Sequence, residues 1–420
     1  MVCPWGMRQP QCSSPASPLP PTFSATPRLR EASPASVTVP AFYPRRDAQT
    51  GRRATRDERT KRKISTMNPT AKRNTQRPMT CASTVQGQRL PVIDITDPRF
   101  ALPADADAIT ALFASYVADE RRRARVPTFI TRMILALASR RAPLLRSVVS
   151  ARSGFLDGLS TYLLKLGPDN LPPPFNSEID RRFAASPHVV SMRLKLQQVA
   201  HLQTRALVSE LDADGTAPLH LINLGGGTAI DTLNTLILLN QLRRQALAAR
   251  NITISVLDID RDGPQFGAAA LRALCAHGSA LEGLRVRFVH YPYDWNEPAC
   301  LAGIVENAIM SGAIVAASSE GGLFEYGTDA AVLANLRALC PRVHGQKIVV
   351  TGSVTRDDEA RRRSISAHSF ALVPRGLAGI EALASRAGFS VERAETTPLS
   401  DQVLLLPVDP TAPRLPSCNG

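Results

Sequence analysis

Short apolar runs alternate with helical patterns from residue 219 to residue 407. Seven runs have the length and composition of β-strands, at positions 219–224, 253–258, 286–290, 313–317, 347–351, 389–395 and 402–407. The segments between the first five runs have the spacing of helices, notably 229–249, 264–277 and 328–340. Such alternation predicts a parallel sheet with right-handed crossovers and helices on both faces. Only a short polar link joins the last two runs, so they are expected to pair antiparallel. The sequence therefore predicts an α/β protein with a doubly wound, seven-stranded sheet that ends in an antiparallel hairpin.

A helical region precedes this pattern. Apolar residues three or four apart predict helices over 104–124, 128–150 and 155–166, and a long helix that ends near residue 212. We therefore divide the ordered part of the chain into a helical, substrate-binding lid over residues 91–212 and a cofactor-binding domain over residues 213–408. The last residues, 409–420, are expected to be disordered.

The N-terminal segment differs from the rest in charge and composition. The 420-residue chain has a net charge of +14, and residues 1–90 hold 16 Lys and Arg against 4 Asp and Glu, which accounts for 12 of those charges. This segment is rich in Pro, Ser and Arg and has no apolar period, so we expect it to be disordered. It could be an organellar targeting segment over residues 1–66, a segment that binds RNA or an acidic surface, or an inert extension ahead of Met67 or Met79. The remaining residues are nearly neutral, which makes nucleic acid an unexpected partner for the folded part.

Membrane and metal-binding classes are not indicated. The most apolar long stretch, 219–242, contains Asp231 and three asparagines, which a bilayer would penalise. The 7 cysteines include no Cys-x-x-Cys pair and no histidine at zinc spacing, so no metal site is expected. A cytoplasmic, reducing compartment is the simplest expectation.

A glycine-rich turn follows the first run and leads directly into a helix. Its residues are Asn223-Leu224-Gly225-Gly226-Gly227-Thr228-Ala229. Glycines let the backbone turn tightly and let a ligand approach without meeting a Cβ atom, and the following helix N-terminus favours electron-rich groups. The turn is therefore a candidate cofactor site.

Acidic and aromatic residues follow the next runs. Asp258 and Ile259 end the second run, and a carboxylate there can accept hydrogen bonds from both ribose hydroxyls. Asp294 and Trp295 follow the third run, where they could hold an adenine ring. Capping of a helix by Asp258, or a surface turn at Asp294, are the alternative interpretations.

Further candidates follow the fourth and fifth runs. Ser319 lies beside the predicted cofactor site, whereas Glu320, Tyr326 and His368 could face a substrate. These residues also occupy the ends of predicted strands or the loops after them, which is where ligands bind in open α/β sheets.

The order of glycine-rich turn, second-strand acid, third-strand acid and terminal hairpin resembles the class I S-adenosylmethionine-dependent methyltransferases, over about residues 190–408. Their first motif is acid-x-Gly-x-Gly-x-Gly, and Asn223 and Ala229 replace its acid and its last glycine. The resemblance implies a Rossmann-like fold and S-adenosylmethionine as cofactor. It places the methionine part at Gly225 and Gly227, the ribose at Asp258 and the adenine at Asp294, with Asn223, Gly226, Ile259, Trp295 and Ser319 also in the cofactor site.

Residues after the fourth run narrow the subfamily. The Pro-Pro-aromatic sequence with which amino-methyltransferases of nucleic acids grip a flipped base is not present there, which disfavours base methylation. Glu320-Gly321 and Tyr326, together with Asp231-Thr232, are similar to carboxyl O-methyltransferases of the leucine-carboxyl type. The resemblance thus implies O-methylation of a small molecule. No catalytic residue is identified, since methyl transfer from an activated sulfonium chiefly requires alignment of the acceptor. The methyl acceptor and the oligomeric state stay open.

Three other functions remain possible from the sequence. An NAD(P)-dependent oxidoreductase would use the same glycine-rich turn and Asp258, and a nucleotide-sugar glycosyltransferase would hold a divalent metal with Asp258 and Asp260. A non-catalytic cofactor-binding protein with an RNA-binding tail is the third. The terminal antiparallel pair and Asp294 favour the methyltransferase.

Overall fold

The computed structural model describes residues 78–102, 107, 110, 111, 113, 114, 137–150, 154–340, 348–366 and 370–408, all of which belong to one compact unit. Two predicted disordered regions are affected: residues 1–77 of the segment 1–90, and the whole of 409–420, lie outside these residues. So do most of the helical pattern over 104–124, the first part of 128–150, and His368.

Nine strands and eleven helices are assigned within the described ranges. The strands are β1 (Cys81–Ser83), β2 (Arg89–Pro91), β3 (Leu219–Leu224), β4 (Ile252–Leu257), β5 (Val286–Tyr291), β6 (Ile314–Ser319), β7 (Ile348–Thr355), β8 (Phe389–Thr396) and β9 (Ser400–Pro407). The helices are α1 (Pro143–Val149), α2 (Gly158–Lys165), α3 (Glu178–Ala184), α4 (Pro187–Ala213), α5 (Ile230–Ala248), α6 (Asp262–Cys275), α7 (Ala299–Met310), α8 (Leu323–Tyr326), α9 (Asp329–Leu339), α10 (Glu359–Ser366) and α11 (Gly376–Ala387).

The main sheet has seven strands in the order β5-β4-β3-β6-β7-β9-β8. Strands β3 to β7 are parallel, and β9 pairs antiparallel with both β7 and β8. All seven predicted strands are present, and the first has the predicted bounds. The predicted Rossmann-like fold with a terminal antiparallel hairpin is confirmed.

Two apolar cores lie on the two faces of this sheet. The side chains of β6 and β7 are buried at every position, because helices cover both faces of a parallel sheet. The edge strands β5 and β8 are only partly buried. Continuous apolar runs therefore mark the central strands, as the sequence indicated.

The long helix α4 belongs to this framework as well as to the helical region before it. It packs against α5 and against β6, β7 and β9. Val199, Ala200 and Leu202 on its buried side are fully inaccessible to solvent. The last helix of the region 91–212, which was assigned to a substrate-binding lid, therefore also covers one face of the sheet.

A two-stranded hairpin lies inside the segment that was expected to be disordered. Strands β1 and β2 pair antiparallel, and Leu90 is fully buried. The Tyr162 hydroxyl donates to the Pro91 carbonyl at 2.6 Å and accepts from the Ile93 amide at 3.0 Å. Strands of three residues are too short to show an alternating pattern. Contacts of β1 with α6 and the hydrogen bonds of Tyr162 on α2 hold this pair in place. The expected disorder of residues 1–90 is therefore wrong for residues 81–90.

Candidate functional site

A cavity of about 710 Å³ opens at the carboxyl edge of the sheet. This volume is within the roughly 300–1,000 Å³ of pockets that bind small molecules. Nine of the twelve residues proposed from the sequence line it: Gly225, Gly226, Gly227, Asp258, Ile259, Asp294, Trp295, Glu320 and Tyr326. They meet because parallel strands present their carboxyl ends at one edge.

The glycine-rich turn needs its glycines for conformation and for space. Gly225 and Gly227 have φ of +63° and +56°. A Cβ atom on Gly225 would lie 3.0 Å from the Trp295 ring, and one on Gly227 would lie 2.6 Å from the Cα of Gly158. Ala229 also has a left-handed backbone, with φ of +53°, at the position where the methyltransferase motif has its last glycine. The turn thus keeps the glycine geometry even where alanine stands.

Asp258 fixes the turn and faces the cavity. Its two carboxylate oxygens accept hydrogen bonds from the backbone amides of Gly227 at 2.7 Å and Asp260 at 2.8 Å. Burial raises the pKa of this carboxyl. A carboxylate offers about four acceptor positions, so two remain for a ligand. Beside it Ile259 is 80% exposed, an apolar surface that a ring could cover.

An aromatic group lines another part of the cavity. The Trp295 and Phe155 rings are 6.3 Å apart, and the Phe155 and Tyr326 rings are 5.0 Å apart. Asp294 is exposed, and its Oδ1 accepts hydrogen bonds from the backbone and side chain of Asn296. The Trp295 ring therefore lies over the glycine-rich turn, while Asp294 lies at the rim.

Two buried ion pairs line the cavity, and sequence reasoning missed three of their four members. The Lys165 ammonium binds Glu320, and the two side chains are 5% and 2% exposed. The Lys195 ammonium lies 2.7 Å from Oε2 of Glu325, with side chains 11% and 4% exposed. The partners are 155 and 130 residues apart in the chain, so no local pattern could have joined them.

The Glu320 carboxylate is incompletely paired. Its Oε1 is buried and has no hydrogen-bond partner within the described part of the chain. A buried polar atom without a partner costs about 1–3 kcal/mol, so this oxygen is suited to receive a donor from a ligand.

Asn223 and Ser319 were expected to touch a cofactor, and the structure corrects this. Both are at most 1% exposed and lie behind the cavity wall. The Asn223 amide donates to Oδ1 of Asp231 at 2.8 Å and to the hydroxyls of Thr232 and Ser318 at 3.1 Å each. The Ser319 hydroxyl donates to the Leu224 carbonyl at 3.2 Å. They support the glycine-rich turn from within.

Asp231 is the other member of this buried group. Its pKa is raised to about 6, mainly by burial and secondly by the negative charge of Glu320. Its Oδ2 has no partner among the described residues.

The segment 370–375 packs against another part of the cavity wall, to which it contributes Phe370 and Leu372. The Val373 amide donates to the Glu325 carbonyl at 2.8 Å, and the Ala371 amide donates to the Gly154 carbonyl at 3.2 Å. The buried Arg375 donates to the Phe324 carbonyl at 2.6 Å. These bonds fix the position of the Glu325 backbone relative to the cavity.

Within the described ranges, no group of three or more His, Cys, Asp or Glu side chains could hold a metal ion. No helix described there is long and apolar enough to cross a membrane. His368 lies outside the described residues.

The fold and the cavity define a class of protein: a Rossmann-like α/β protein whose seven-stranded sheet ends in an antiparallel pair and carries a small-molecule-sized cavity at its carboxyl edge. This is the topology implied by the resemblance to class I S-adenosylmethionine-dependent methyltransferases.

No model of a known protein family matches the sequence, and no curated protein matches it. Among solved structures, a variant of LepI in complex with SAH and a substrate analogue is 15% identical, covers 46% of this chain and 43% of that chain, and has a TM-score of 0.31. NcsB1, an O-methyltransferase from neocarzinostatin biosynthesis in complex with SAH and 1,4-dihydroxy-2-naphthoic acid, is 19% identical, with 65% and 69% covered and a TM-score of 0.30. Magnesium protoporphyrin IX methyltransferase (ChlM) from Synechocystis PCC 6803, with bound SAH, is 16% identical, with 53% and 87% covered and a TM-score of 0.34. This chain thus spans less than half the length of LepI. At such values the strand order of this chain, rather than the likeness, defines its fold.

Proposed function

We propose that this protein is an S-adenosylmethionine-dependent methyltransferase that methylates an oxygen of a small molecule. The observation that carries the proposal is the meeting of the glycine-rich turn, Asp258 with Ile259, the aromatic Trp295 and the half-paired Glu320 in one cavity. Each of these groups suits one part of the cofactor, and the cavity has room for a second ligand beside it.

The nucleoside half of the cofactor would bind at the ends of β4 and β5. Asp258 keeps two acceptor positions for ribose hydroxyls, since backbone amides occupy the other two. Ile259 would cover the adenine ring, and burial of such a side chain contributes roughly 1.5–3 kcal/mol. Asp294 lies at the rim, where it could accept from the exocyclic amine.

The methionine half would bind between the glycine-rich turn and the first ion pair. Its ammonium would complete the hydrogen bonding of Glu320 Oε1, and its carboxylate would face Lys165. This pair supplies the charged groups that the turn itself lacks, because the motif acid is replaced by Asn223, which faces inward. The residues present therefore fit the cofactor.

The cofactor would supply an activated methyl group, and the chain aligns the acceptor and excludes water. Helices α2 and α4 form the part of the cavity wall that would exclude water. Thr161 and Tyr162 on α2, and Ser191 and Met192 on α4, line the cavity. We infer that these helices form the substrate-binding part of the lid.

The test is isothermal titration of the full chain with S-adenosylhomocysteine, with NADH and NADPH as controls. Micromolar binding of the first alone is expected. Asp258→Ala should weaken it by roughly 1–3 kcal/mol, about 5- to 150-fold, because it removes a buried acceptor. Asp262→Ala is the matched control, since Asp262 begins α6 nearby, is exposed, and lies outside the cavity wall. Binding of a nicotinamide cofactor, or of none of the three, would refute the proposal.

A further inference from the structure

The second buried ion pair has no role in the cofactor placement above. Lys195 lies on the same face of α4 as His188, Ser191 and Met192, and all four line the cavity. Its partner Glu325 lies on α8, which follows the turn formed by Glu320, Gly321 and Gly322. The first pair uses the end of α2, and the second pair uses α4, so the two pairs occupy separate parts of one wall.

The Lys195 ammonium has unused hydrogen-bonding capacity. It carries three N–H donors, and one of them donates to Oε2 of Glu325 at 2.7 Å. The residue is 9% exposed. Buried ammonium groups are costly unless their donors are satisfied, so the remaining donors are suited to bind an acceptor on a ligand.

A purely structural role explains the pair less well. Apolar residues of similar volume often stabilise a protein as much as a buried ion pair does, or more. Here the pair instead lies on the wall of a cavity, where it contacts whatever the cavity holds. Arg361 lines the same cavity.

Apart from the polar His188 and Ser191 beside Lys195, much of this part of the cavity wall is apolar or aromatic. Its wall residues include Phe183, Val189, Met192, Phe370 and Leu372. Burial raises the pKa of the Tyr326 hydroxyl, which is therefore a neutral donor. A molecule that fits this surface has an apolar body and one polar, negatively charged end.

We propose that Lys195 and Glu325 form the recognition site for the methyl acceptor, and that this acceptor is an organic acid with an apolar or aromatic body and an ionised oxygen, either a carboxylate or an acidic hydroxyl. The proposal rests on the methyltransferase function above. Glu325 holds the Lys195 ammonium in place, and the other N–H donors of that ammonium bind the ionised oxygen.

This assignment also balances the reaction. The acceptor oxygen uses a lone pair to form the O–CH₃ bond while the S–CH₃ bond breaks and its electron pair remains on sulfur. The acid loses its negative charge, and the sulfonium becomes a neutral thioether. No proton has to leave the acceptor during the step, because the oxygen is already ionised. Lys195 orients the acid through the same oxygen or the second oxygen of a carboxylate.

The test uses matched pairs of an acid and its neutral analogue, titrated into the full chain saturated with S-adenosylhomocysteine. One pair is 4-phenylbenzoate with 4-phenylbenzamide, and the other is 4-nitrophenol with 4-nitroanisole at pH 8. Fluorescence of Trp295, which borders the cavity, reports binding, with Trp295→Phe as the signal control. At least tenfold tighter binding of the acid is expected in one pair, and the pair that shows it identifies the carboxylate or the acidic hydroxyl.

Lys195→Met should abolish that preference and leave the affinity for S-adenosylhomocysteine within about twofold of the original. Arg205→Met is the matched control, since Arg205 is a cation on the same helix, is ion-paired with Glu395, and lies on the exposed surface away from the cavity. This control should keep the preference, and thermal melts should show both variants folded.

Three results would overturn the proposal. The acid and the neutral analogue bind equally in both pairs, or neither acid binds at millimolar concentration, or the folded Lys195→Met variant still prefers the acid. If Lys195→Met unfolds, Lys195→Gln is tested by the same criteria, and loss of fold in both variants assigns the pair to structure and overturns the proposal. Binding of S-adenosylhomocysteine without acid preference defeats this inference alone. Failure of S-adenosylhomocysteine to bind defeats the proposed function itself.

Discussion

Replacing Asp231 by Asn should stabilise the protein at neutral pH and not under acidic conditions. Asp231 is 1% exposed, in the first turn of α5, and its Oδ1 accepts from the Asn223 amide at 2.8 Å. Burial and the neighbouring charge of Glu320 raise its pKa from 3.8 to about 6. The asparagine keeps an acceptor for Asn223 and removes the buried charge.

The magnitude follows from linkage between protonation and folding. A carboxyl whose pKa is raised by folding binds its proton more tightly in the folded state, so stability is lost as the pH rises from about 3.8 through about 6. The loss reaches roughly 3 kcal/mol at neutral pH, of which about 2 kcal/mol develops between about pH 4.5 and pH 7.5. The amide group of the new asparagine adds N–H donors that have no assigned acceptor in this buried group, which lowers the free energy of unfolding by about 1 kcal/mol. Because this cost is the same at every pH, it does not alter how the free energy of unfolding changes with pH.

Urea unfolding at pH 4.5, 6.0 and 7.5 measures this difference. The free energy of unfolding of Asp231→Asn, relative to the original chain, should rise by about 2 kcal/mol across that interval. Asp262→Asn, at an exposed acid in the first turn of α6, should show no comparable slope. The result that would refute this explanation is a difference in free energy of unfolding between Asp231→Asn and the original chain that stays constant with pH or falls as the pH rises. The stability change would then not come from burial of an ionised Asp231.

Three further substitutions test the same edge of the sheet. Asn223→Asp places a second buried carboxylate beside Asp231 and should lower the free energy of unfolding in urea at pH 7.5 by about 3–5 kcal/mol. Adding Asp231→Asn should restore most of that stability, and a double variant without this recovery would disprove the contact. Ala229→Gly should raise the free energy of unfolding by about 1 kcal/mol, since Ala229 has φ of +53°, and a loss of stability would contradict the left-handed assignment. Ile259→Ser should weaken S-adenosylhomocysteine binding about 5- to 20-fold in isothermal titration, because the ligand would no longer cover an apolar side chain. Its Tm should not change, since Ile259 is 80% exposed in the unbound protein, and an unchanged affinity would remove Ile259 from the adenine site.

The sheet could be predicted because its strands are buried on both faces. Such strands are short, mostly apolar runs, and the first of them, Leu219–Leu224, has the predicted bounds. The strand-end residues then follow from topology, since parallel strands bring their carboxyl ends to one edge. This is why Gly225, Asp258 and Glu320 were found together without any information on distance.

The parts that escaped prediction depend on contacts between distant residues. Lys165 and Lys195 lie in amphipathic helices where a lysine is ordinarily a solvated residue, and only tertiary packing joins each to a glutamate. The sequence predicted that Asn223 occupies the motif position, but it could not predict that the side chain points inward, away from the cavity. That direction follows from Asp231, Thr232 and Ser318, whose oxygens surround its amide.

The contact between two glycine-containing turns links the cofactor side of the cavity to the acceptor side. A Cβ atom on Gly322 would lie 2.5 Å from the Gly225 carbonyl oxygen, so the two backbones are packed without room for a side chain. A ligand held at Gly225 is therefore held at a fixed distance from Glu320, and Glu325 follows within the same turn and short helix. The sheet thus fixes both carboxylates, whereas the lysines that pair with them come from α2 and α4. Substitutions on the cavity face of α4 should accordingly change acceptor choice and leave cofactor binding intact, because they alter one partner of the second pair and none of the strand ends.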